Sequence, residues 1–246
     1  MITKIQAHRG ASYELPENTP EAFSRAVEQK ADGIELDVHL TKDGHVVVAH
    51  DERLERVSDG AGYIFHHTLD ELKQLNFNKT FPDGPACRIP TLAEVFDLVK
   101  PTDITVNIEM KTTELFYPGL SEKLAALSKQ YGMGGRVLYS SFNHYSLLEV
   151  KAYDPSAKIG LLYQLGLVDP WVYANYLHAD AIHPHYFIIA ALPETVEKCR
   201  EHGVEVNVWT PNEPDAIKLM LSLGVDGIIT DRPGLAVELR DNFNKS

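Results

Sequence analysis

The sequence feature that most constrains the fold is an alternation of short apolar runs and amphipathic stretches along nearly the whole chain. Helical periodicity separates most of the apolar runs. Strands that alternate with helices form parallel sheets, and eight such repeats predict an α/β fold, a closed (β/α)8 TIM barrel. The eight predicted strands end within residues 7–10, 35–38, 107–111, 138–142, 159–163, 181–184, 204–210 and 228–231.

The length agrees with this architecture. The chain has 246 residues, and a barrel of this type needs about 250. No stretch rich in proline, glycine or serine divides the sequence. We therefore predict a single domain over residues 1–246.

One interruption of the repeat is the segment LTKDGHVVVAHD, residues 40–51. The Lys-Asp-Gly sequence at 42–44 is a tight-turn signal, and a β-rich run follows it at once. No helix fits between this run and the preceding strand. Residues 45–50 are therefore expected to fold back antiparallel beside residues 35–40.

The second interruption is an irregular stretch over residues 52–90, rich in glycine, aspartate and asparagine. It contains one helix-like piece at residues 69–75. We expect it to form a small insertion subdomain that lies over one end of the barrel.

Charge and composition restrict the partners. The formal net charge is −12, which opposes attraction to phosphate backbones, so nucleic acid is not expected as a partner. No apolar run approaches the ~18 residues of a membrane span, so stable membrane insertion is not expected. Cys87 and Cys199 form no CxxC pair, and the N-terminus has no signal-peptide pattern, so we expect a cytoplasmic protein. The sequence carries no signal for a particular oligomeric state.

Acidic side chains lie at the carboxyl ends of two predicted strands, where active sites of parallel barrels are built. Glu35 and Asp37 are two residues apart on one strand, and Glu109 lies on the next barrel strand. Side chains two apart on a strand face the same side, so these carboxylates should converge. They suit a hard divalent cation with oxygen ligands. The alternative is that they form structural salt bridges with Lys111 and Arg9.

Two histidines are selected by position. His8 ends the first predicted strand, and His50 ends the hairpin. If the hairpin turn has two or four residues, residue 35 or 37 faces residue 50, which places His50 beside the acids and across from His8. A three-residue turn with a bulge would shift this parity. Two imidazoles that flank a phosphate suit in-line displacement, because one accepts a proton and the other donates one.

These residues are parts of an ordered set of motifs, which runs from residue 8 to about residue 233. The set comprises His8-Arg9-Gly10, Pro16-Glu17-Asn18-Thr19, Glu35-Leu36-Asp37-Val38, Thr41, Asp43-Gly44, His50-Asp51, Glu109, Lys111, Val208-Trp209-Thr210, Asn212, Gly224-Val225-Asp226-Gly227 and Thr230-Asp231-Arg232-Pro233. In residue types and spacing it resembles the glycerophosphodiester phosphodiesterase family, in its bacterial cytoplasmic form. That family is related in fold to phosphatidylinositol-specific phospholipase C.

The resemblance implies metal-dependent hydrolysis of a small glycerophosphodiester substrate to sn-glycerol 3-phosphate and an alcohol. It implies that His8 and His50 are the catalytic acid–base pair, and that Arg9 and Lys111 hold the substrate phosphate. It also suggests a route in which the glycerol 2-hydroxyl attacks phosphorus first and water then opens a cyclic phosphate.

By the same resemblance, Glu35, Asp37 and Glu109 bind Mg²⁺ or Ca²⁺. Two residues depart from the family pattern, Ser58 and Pro211, and neither occupies an implied catalytic position. Pro211 is expected to alter the loop near the alcohol pocket.

Weaker signals concern the lining of the site. Phe142 and Trp209 lie at predicted strand ends, where they either line the pocket or belong to the core. Tyr117 follows the strand that carries Lys111, and it either reaches the pocket or anchors its loop. His183 and His185 have the spacing of two metal ligands on a strand, but they do not follow the first strand and are not expected to bind a metal.

Two alternative functions remain. An enzyme of the same fold could act on lysophospholipids or on another phosphodiester, and it should then carry an exposed apolar or basic docking patch. The sequence has no basic cluster, which favours a water-soluble substrate. A barrel that only binds a phosphorylated ligand should lack one of the histidines or acids, and all are present.

Overall fold

Eight parallel strands close into a barrel in the computed structural model, which describes residues 2–245. The strands are β1 (Lys4–His8), β2 (Gly33–Leu40), β4 (Thr105–Met110), β5 (Val137–Ser141), β6 (Lys158–Tyr163), β7 (Ala181–Pro184), β8 (Glu205–Trp209) and β9 (Gly227–Thr230), with β3 (Val46–Val48) added antiparallel to β2. Neighbouring strands pair in the order β1-β9-β8-β7-β6-β5-β4-β2, and the β1–β2 pairing closes the ring. The predicted (β/α)8 fold is therefore confirmed.

Helices connect the barrel strands, and local sequence sets where they begin. The side chain of Thr19 accepts a hydrogen bond from the backbone of Ala22, and Pro20 occupies the first position of α1. The helices are α1 (Pro20–Glu28), α2 (Leu69–Gln74), α3 (Leu92–Val99), α4 (Leu120–Gln130), α5 (His144–Tyr153), α6 (Pro170–Tyr176), α7 (Tyr186–Ala191), α8 (Glu194–Glu201), α9 (Pro214–Leu223) and α10 (Pro233–Phe243). None of the described helices is long and apolar enough to cross a bilayer.

The hairpin forms, and its turn is the three-residue alternative rather than the two- or four-residue turn. Val38 pairs with Val48, and the backbone N–H of Ala49 donates to the carbonyl of Asp37 at 3.0 Å. The turn has three residues, 42–44, because Gly44 adopts φ +81°, a left-handed conformation that glycine allows without a steric cost. Residue 37 is therefore opposite residue 49, and His50 lies beyond the end of β3.

The segment 52–90 has an apolar cluster of its own. Strand β3 separates this cluster from the barrel core: Val46 and Val48 pack in the barrel core, whereas Val47 packs in the small cluster. This division follows from the alternation of side chains along a strand. The small cluster comprises Val47, Ala49, Leu54, Val57, Ile64, Leu72, Phe77 and Ile89.

Candidate active site

Three buried carboxylates meet at the carboxyl ends of β2 and β4. Asp37 and Glu109 are register partners on these adjacent strands, and Glu35 lies two residues before Asp37 on the same face. One oxygen from each of the three lies within 4.8 Å of the others. Within residues 2–245, this is the only group of three or more His, Cys, Asp and Glu side chains close enough to hold a metal ion.

The loop after β1 supports this cluster from the side. The backbone N–H of Arg9 donates to Glu35 Oε2 at 3.0 Å, and Asn18 Nδ2 donates to Asp37 Oδ2 at 2.8 Å. Both Arg9 and Asn18 adopt φ 57°, a left-handed conformation that costs on the order of 1–3 kcal/mol for a non-glycine residue. The next residue, Gly10, cannot carry a side chain, because a Cβ there would lie 2.6 Å from the backbone of Ala22.

The charges of the cluster are unbalanced. Burial raises the pKa of Glu35 well above its ordinary value, and the neighbouring Asp37 and Glu109 raise it further. Burial also raises the pKa of Asp37, but the nearby charges of Lys111, His50 and Arg9 outweigh it and hold the net pKa well below its ordinary value. Asp37 Oδ1 is buried without a hydrogen-bond partner among the described residues.

The salt-bridge alternative is realised only in part. Lys111 Nζ lies 2.7 Å from Glu109 Oε1 and 3.6 Å from Asp37 Oδ1, and Arg9 Nε lies 3.5 Å from Asp37 Oδ2. The guanidinium of Arg9 is shared with Glu17, at 2.9 Å. The two cationic side chains therefore do not balance the three carboxylates of the cluster and Glu17. The cluster could bind a divalent cation in addition.

His8 is oriented by an aspartate from the last barrel strand. Its Nδ1 lies 2.5 Å from Asp231 Oδ1, and because a carboxylate only accepts, Nδ1 carries the proton. Its Nε2 then faces the acid cluster, 4.0 Å from Glu35 Oε2. Burial raises the pKa of Asp231, but hydrogen bonds from His8, Asn212 and Ser12 outweigh it and lower the net pKa.

His50 has the same arrangement on the opposite side of the cluster. Its Nδ1 donates to Asp51 Oδ1 at 2.6 Å, and its Nε2 accepts from Lys111 Nζ at 3.1 Å. Burial raises the pKa of Asp51, but hydrogen bonds from Arg56 and His50 lower it to about 2. His50 thus lies beside Lys111, which pairs with Glu109, although the turn is not one of the two lengths that would place His50 opposite residue 35 or 37.

Arg56, from the 52–90 segment, connects Asp51 with Glu17 on this side of the site. Its guanidinium donates to both oxygens of Asp51, at 2.6 and 3.1 Å, and to both oxygens of Glu17, at 2.7 Å each. Glu17 in turn accepts from Arg9. A continuous chain of hydrogen bonds and ion pairs therefore joins His50 to Arg9.

Sequence reasoning gave no role to Asp231, Asp51 or Arg56, although the first two lie within the quoted motifs. The signal available for Asp51 was its position next to His50. Nothing in the sequence links Asp231 to His8, because 223 residues separate them.

Tyr117 contacts a buried histidine rather than the acids. Its hydroxyl lies 2.8 Å from His39 Nδ1, and His39 Nε2 lies 3.1 Å from the backbone oxygen of His50. Burial lowers the pKa of His39 to about 4, so the ring is neutral. The ring therefore donates from Nε2 to His50 and accepts from Tyr117, which anchors the loop after β4 to the hairpin.

Phe142 and Trp209 contact each other at the mouth of the barrel, with ring centroids 5.6 Å apart and nearly perpendicular planes. Trp209 Nε1 donates to the backbone oxygen of His183 at 2.8 Å. The side chain of His183 is buried and accepts from Asn207 Nδ2, 3.1 Å from its Nε2.

Comparison with known proteins identifies the family. Residues 8–235 match the sequence profile of the Glycerophosphoryl diester phosphodiesterase family. The chain belongs to this family. A glycerophosphodiester phosphodiesterase of Caldanaerobacter subterraneus subsp. tengcongensis is 50% identical to it over 97% of this chain and 98% of the relative. One from Bacillus altitudinis is 38% identical over 98% of this chain and 100% of the relative.

Solved structures of the family share the fold over nearly the whole chain. A glycerophosphodiester phosphodiesterase from Thermotoga maritima superposes with a TM-score of 0.80 at 32% identity, covering 97% of this chain and 99% of that one. An Oleispira antarctica phosphodiesterase, solved with the product sn-glycerol-3-phosphate, gives a TM-score of 0.86 at 28% identity, covering 98% and 97% of the two chains. Family membership confirms the predicted enzyme class, a glycerophosphodiester phosphodiesterase.

Proposed function

We propose that the chain hydrolyses glycerophosphodiesters to sn-glycerol 3-phosphate and an alcohol in a divalent-metal-dependent reaction, with His8 and His50 as the acid–base pair. The observation that carries this proposal is that both histidines donate a hydrogen bond from Nδ1 to an aspartate, while His8 Nε2 lies near Glu35 and His50 Nε2 contacts Lys111, which pairs with Glu109. The small-molecule substrate lies between the two imidazoles.

The aspartates hold each imidazole in one tautomer. With Nδ1–H bound to a carboxylate, Nε2 is the nitrogen that can accept a proton, and the imidazolium that results is stabilised by the same carboxylate. In His50, Nε2 accepts a hydrogen bond from Lys111, and Lys111 would have to release it for the substrate phosphate. In the proposed reaction, one histidine removes a proton from the attacking hydroxyl, and the other protonates the departing alcohol oxygen.

Arg9 and Lys111 would hold the phosphate. Arg9 presents a planar donor group to the oxygens, and Lys111 acts as a compact charge that already bridges His50 and Glu109. Substrate binding would then replace part of the pairing that these two cations make with the acids.

Glu35, Asp37 and Glu109 fit a hard cation, because they offer three buried carboxylates, and Asp37 Oδ1 accepts no hydrogen bond from the described residues. We propose Mg²⁺ or Ca²⁺ as that cation. When bound, a divalent cation neutralises charge on the phosphoryl oxygens.

We also propose a cytoplasmic location. It is supported by Cys87 and Cys199, which are buried free thiols, as is usual in a reducing compartment.

The experiment that tests this proposal measures glycerol 3-phosphate released from glycerophosphocholine and glycerophosphoethanolamine, with Mg²⁺, with Ca²⁺ and with EDTA. Release should require a divalent cation. It should fall by at least ~10² in His8→Ala and in His50→Ala, as expected for the loss of a positioned general acid or base.

His202→Ala provides the control, since His202 lies at the end of α8 and contacts the backbone of Lys198. It should keep the rate of the unaltered protein. Full activity in both His8→Ala and His50→Ala would reject the acid–base roles, and full activity after EDTA would reject the metal.

A further inference from the structure

His39 is a buried polar residue of β2 to which the proposed reaction gives no role. It lies two residues beyond Asp37, on the face of the strand that also carries Glu35, and it is opposite Val47 in the hairpin. Its side chain is almost completely buried. Because Val47 belongs to the small cluster of the 52–90 segment, His39 lies between that cluster and the carboxylates.

Both ring nitrogens of His39 have a partner, and the two partners belong to different segments. Nε2 donates to the backbone oxygen of His50 at 3.1 Å, and Nδ1 accepts from the Tyr117 hydroxyl at 2.8 Å. The rings of His39 and Tyr117 also pack edge to face, with centroids 5.6 Å apart. A buried polar group whose hydrogen bonds are all made is held in one orientation. His39 therefore connects the hairpin with the loop after β4 in a fixed geometry.

The contact with His50 supplies a hydrogen bond that the hairpin ladder does not. The last backbone hydrogen bond of the hairpin runs from Ala49 to Asp37. In the part of the chain that the structure describes, neither the N–H nor the carbonyl of His50 has a backbone partner. The charged groups around His50 contact only its imidazole. Among the described side chains, His39 alone is hydrogen-bonded to the main chain of His50.

The contact with Tyr117 extends this support to the phosphate side of the site. Tyr117 lies in the loop that follows β4 and begins with Lys111. Lys111 Nζ donates to His50 Nε2 at 3.1 Å. The loop and these hydrogen bonds therefore form a closed circuit, in which His39 holds the main chain of His50 while Lys111 contacts its imidazole.

The circuit borders a cleft at the catalytic site. The cleft has a volume of about 150 Å³ and is lined by Lys111, by residues 50–52 and by residues 113–115. Residues 50–52 follow the hairpin, and residues 113–115 belong to the loop after β4. Because His39 is hydrogen-bonded to both segments, it sets the distance between the two walls of the cleft.

We propose that His39 is a positioning residue for the proposed reaction, which holds the main chain of His50 where its imidazole can transfer a proton. This inference rests on the proposed function and adds a residue that acts through His50. His39 itself forms no hydrogen bond or ion pair with the described carboxylates of the cluster. A catalytic group displaced by ~1 Å can lose about 10² in rate, so loss of this one contact has a measurable effect.

Two amide substitutions separate the two hydrogen bonds of His39. The amide nitrogen of glutamine lies as many bonds from Cβ as Nε2 of histidine, and the amide oxygen of asparagine as many as Nδ1. His39→Gln therefore keeps the donor to His50 and loses the contact with Tyr117, whereas His39→Asn does the opposite. We expect kcat for glycerophosphocholine to fall by about 10–100-fold in His39→Asn and by less than about threefold in His39→Gln.

His144 provides the matched control, because its ring has the same two kinds of partner in another connection of the barrel. Its Nε2 lies 3.0 Å from the backbone oxygen of Leu162, and its Nδ1 lies 3.1 Å from the Tyr173 hydroxyl. His144→Asn and His144→Gln should both keep the kcat of the unaltered protein. Urea unfolding of all four variants separates a change in kcat from a loss of folded protein.

A second readout does not depend on turnover. Long-range ¹H–¹⁵N spectra of the histidine rings show which nitrogen carries the proton, and the His50 signals are those that His50→Ala lacks. His39→Asn should convert the Nδ1–H tautomer of His50 into a mixture, because the displaced ring loses Asp51, whereas His39→Gln should retain it. If His39→Asn does not fold, His39→Met takes its place, since it fills a similar volume and also lacks the donor.

The outcomes separate the two proposals. Equal kcat in His39→Asn and His39→Gln, with the same His50 tautomer in both, would overturn the positioning role and leave the proposed function intact. A tautomer shift confined to His39→Asn, in a protein that hydrolyses no glycerophosphodiester, would support the contact with His50 and overturn the proposed function.

Discussion

The two histidines of the site have the same contact at Nδ1, but the structure supports that contact differently on the two sides. Asp231, at the end of β9, is held on the barrel side by the uncharged side chains of Asn212 and Ser12. Asp51, after the hairpin, is held by the guanidinium of Arg56. Arg56 is 41% exposed, and it belongs to the 52–90 segment rather than to the barrel.

The same tautomer, with the proton on Nδ1, is therefore held in two different ways. On the barrel side, His8 ends one barrel strand and Asp231 directly follows its neighbour, and the hydrogen bonds to Asp231 come from uncharged side chains. On the hairpin side, His50 lies outside the β-ladder, and a network of charged hydrogen bonds replaces the missing backbone support. Exposed ion pairs usually contribute little to stability, but bidentate pairs that belong to a network contribute more.

The largest effect that tests this comparison is expected from Asp231→Asn and Asp51→Asn. Each amide retains the shape of the carboxylate but turns an N–H toward groups that donate, which disfavours the productive tautomer. We expect kcat to fall by about 10²–10⁴ in both variants. Asp215→Asn is the control, because Asp215 is fully exposed on α9. Rates equal to this control would show that the aspartates do not orient the histidines.

A smaller effect should separate the two sides. Arg56→Ala should lower kcat/KM by about 10–100-fold, the usual cost of removing a group that orients a catalytic residue. Arg56→Lys should recover only part of the lost kcat/KM, since an ammonium cannot form bidentate contacts with both carboxylates. Added NaCl should lower the activity of the unaltered protein more than that of Arg56→Ala. Identical salt dependence in the two proteins would contradict the ion-pair account of the hairpin side.

The smallest effect concerns stability in acid. The pKa of Asp51 is about 2, below its ordinary 3.8. Its contribution to folding is therefore fully present above the unfolded-state pKa and is lost as the pH falls through the folded-state pKa. Because Asp51 is partly exposed, we expect only about 1 kcal/mol. Urea unfolding at several pH values should show a shallower decline below pH ~4 in Asp51→Asn; an unchanged slope would assign the acid sensitivity to other groups.

Periodicity explains what could be predicted from the sequence. The alternation of strands and helices fixes the barrel, and the spacing of two between Glu35 and Asp37 places both on one face. The hairpin register could not be predicted, because it depends on whether Gly44 adopts a left-handed conformation. The contact between His8 and Asp231 depends on closure of the ring between β1 and β9.

Strand β3 packs one face against the barrel core and the other against the small cluster of the 52–90 segment. The strand therefore contributes side chains to two apolar clusters of very different size, the barrel core and the small cluster. Partial unfolding tends to start in the smaller set of contacts, and here such an opening would uncover Val47 and release Arg56 and His50 together. Loss of turnover on heating should consequently precede loss of the barrel, and the working temperature of the enzyme is limited by its smaller unit.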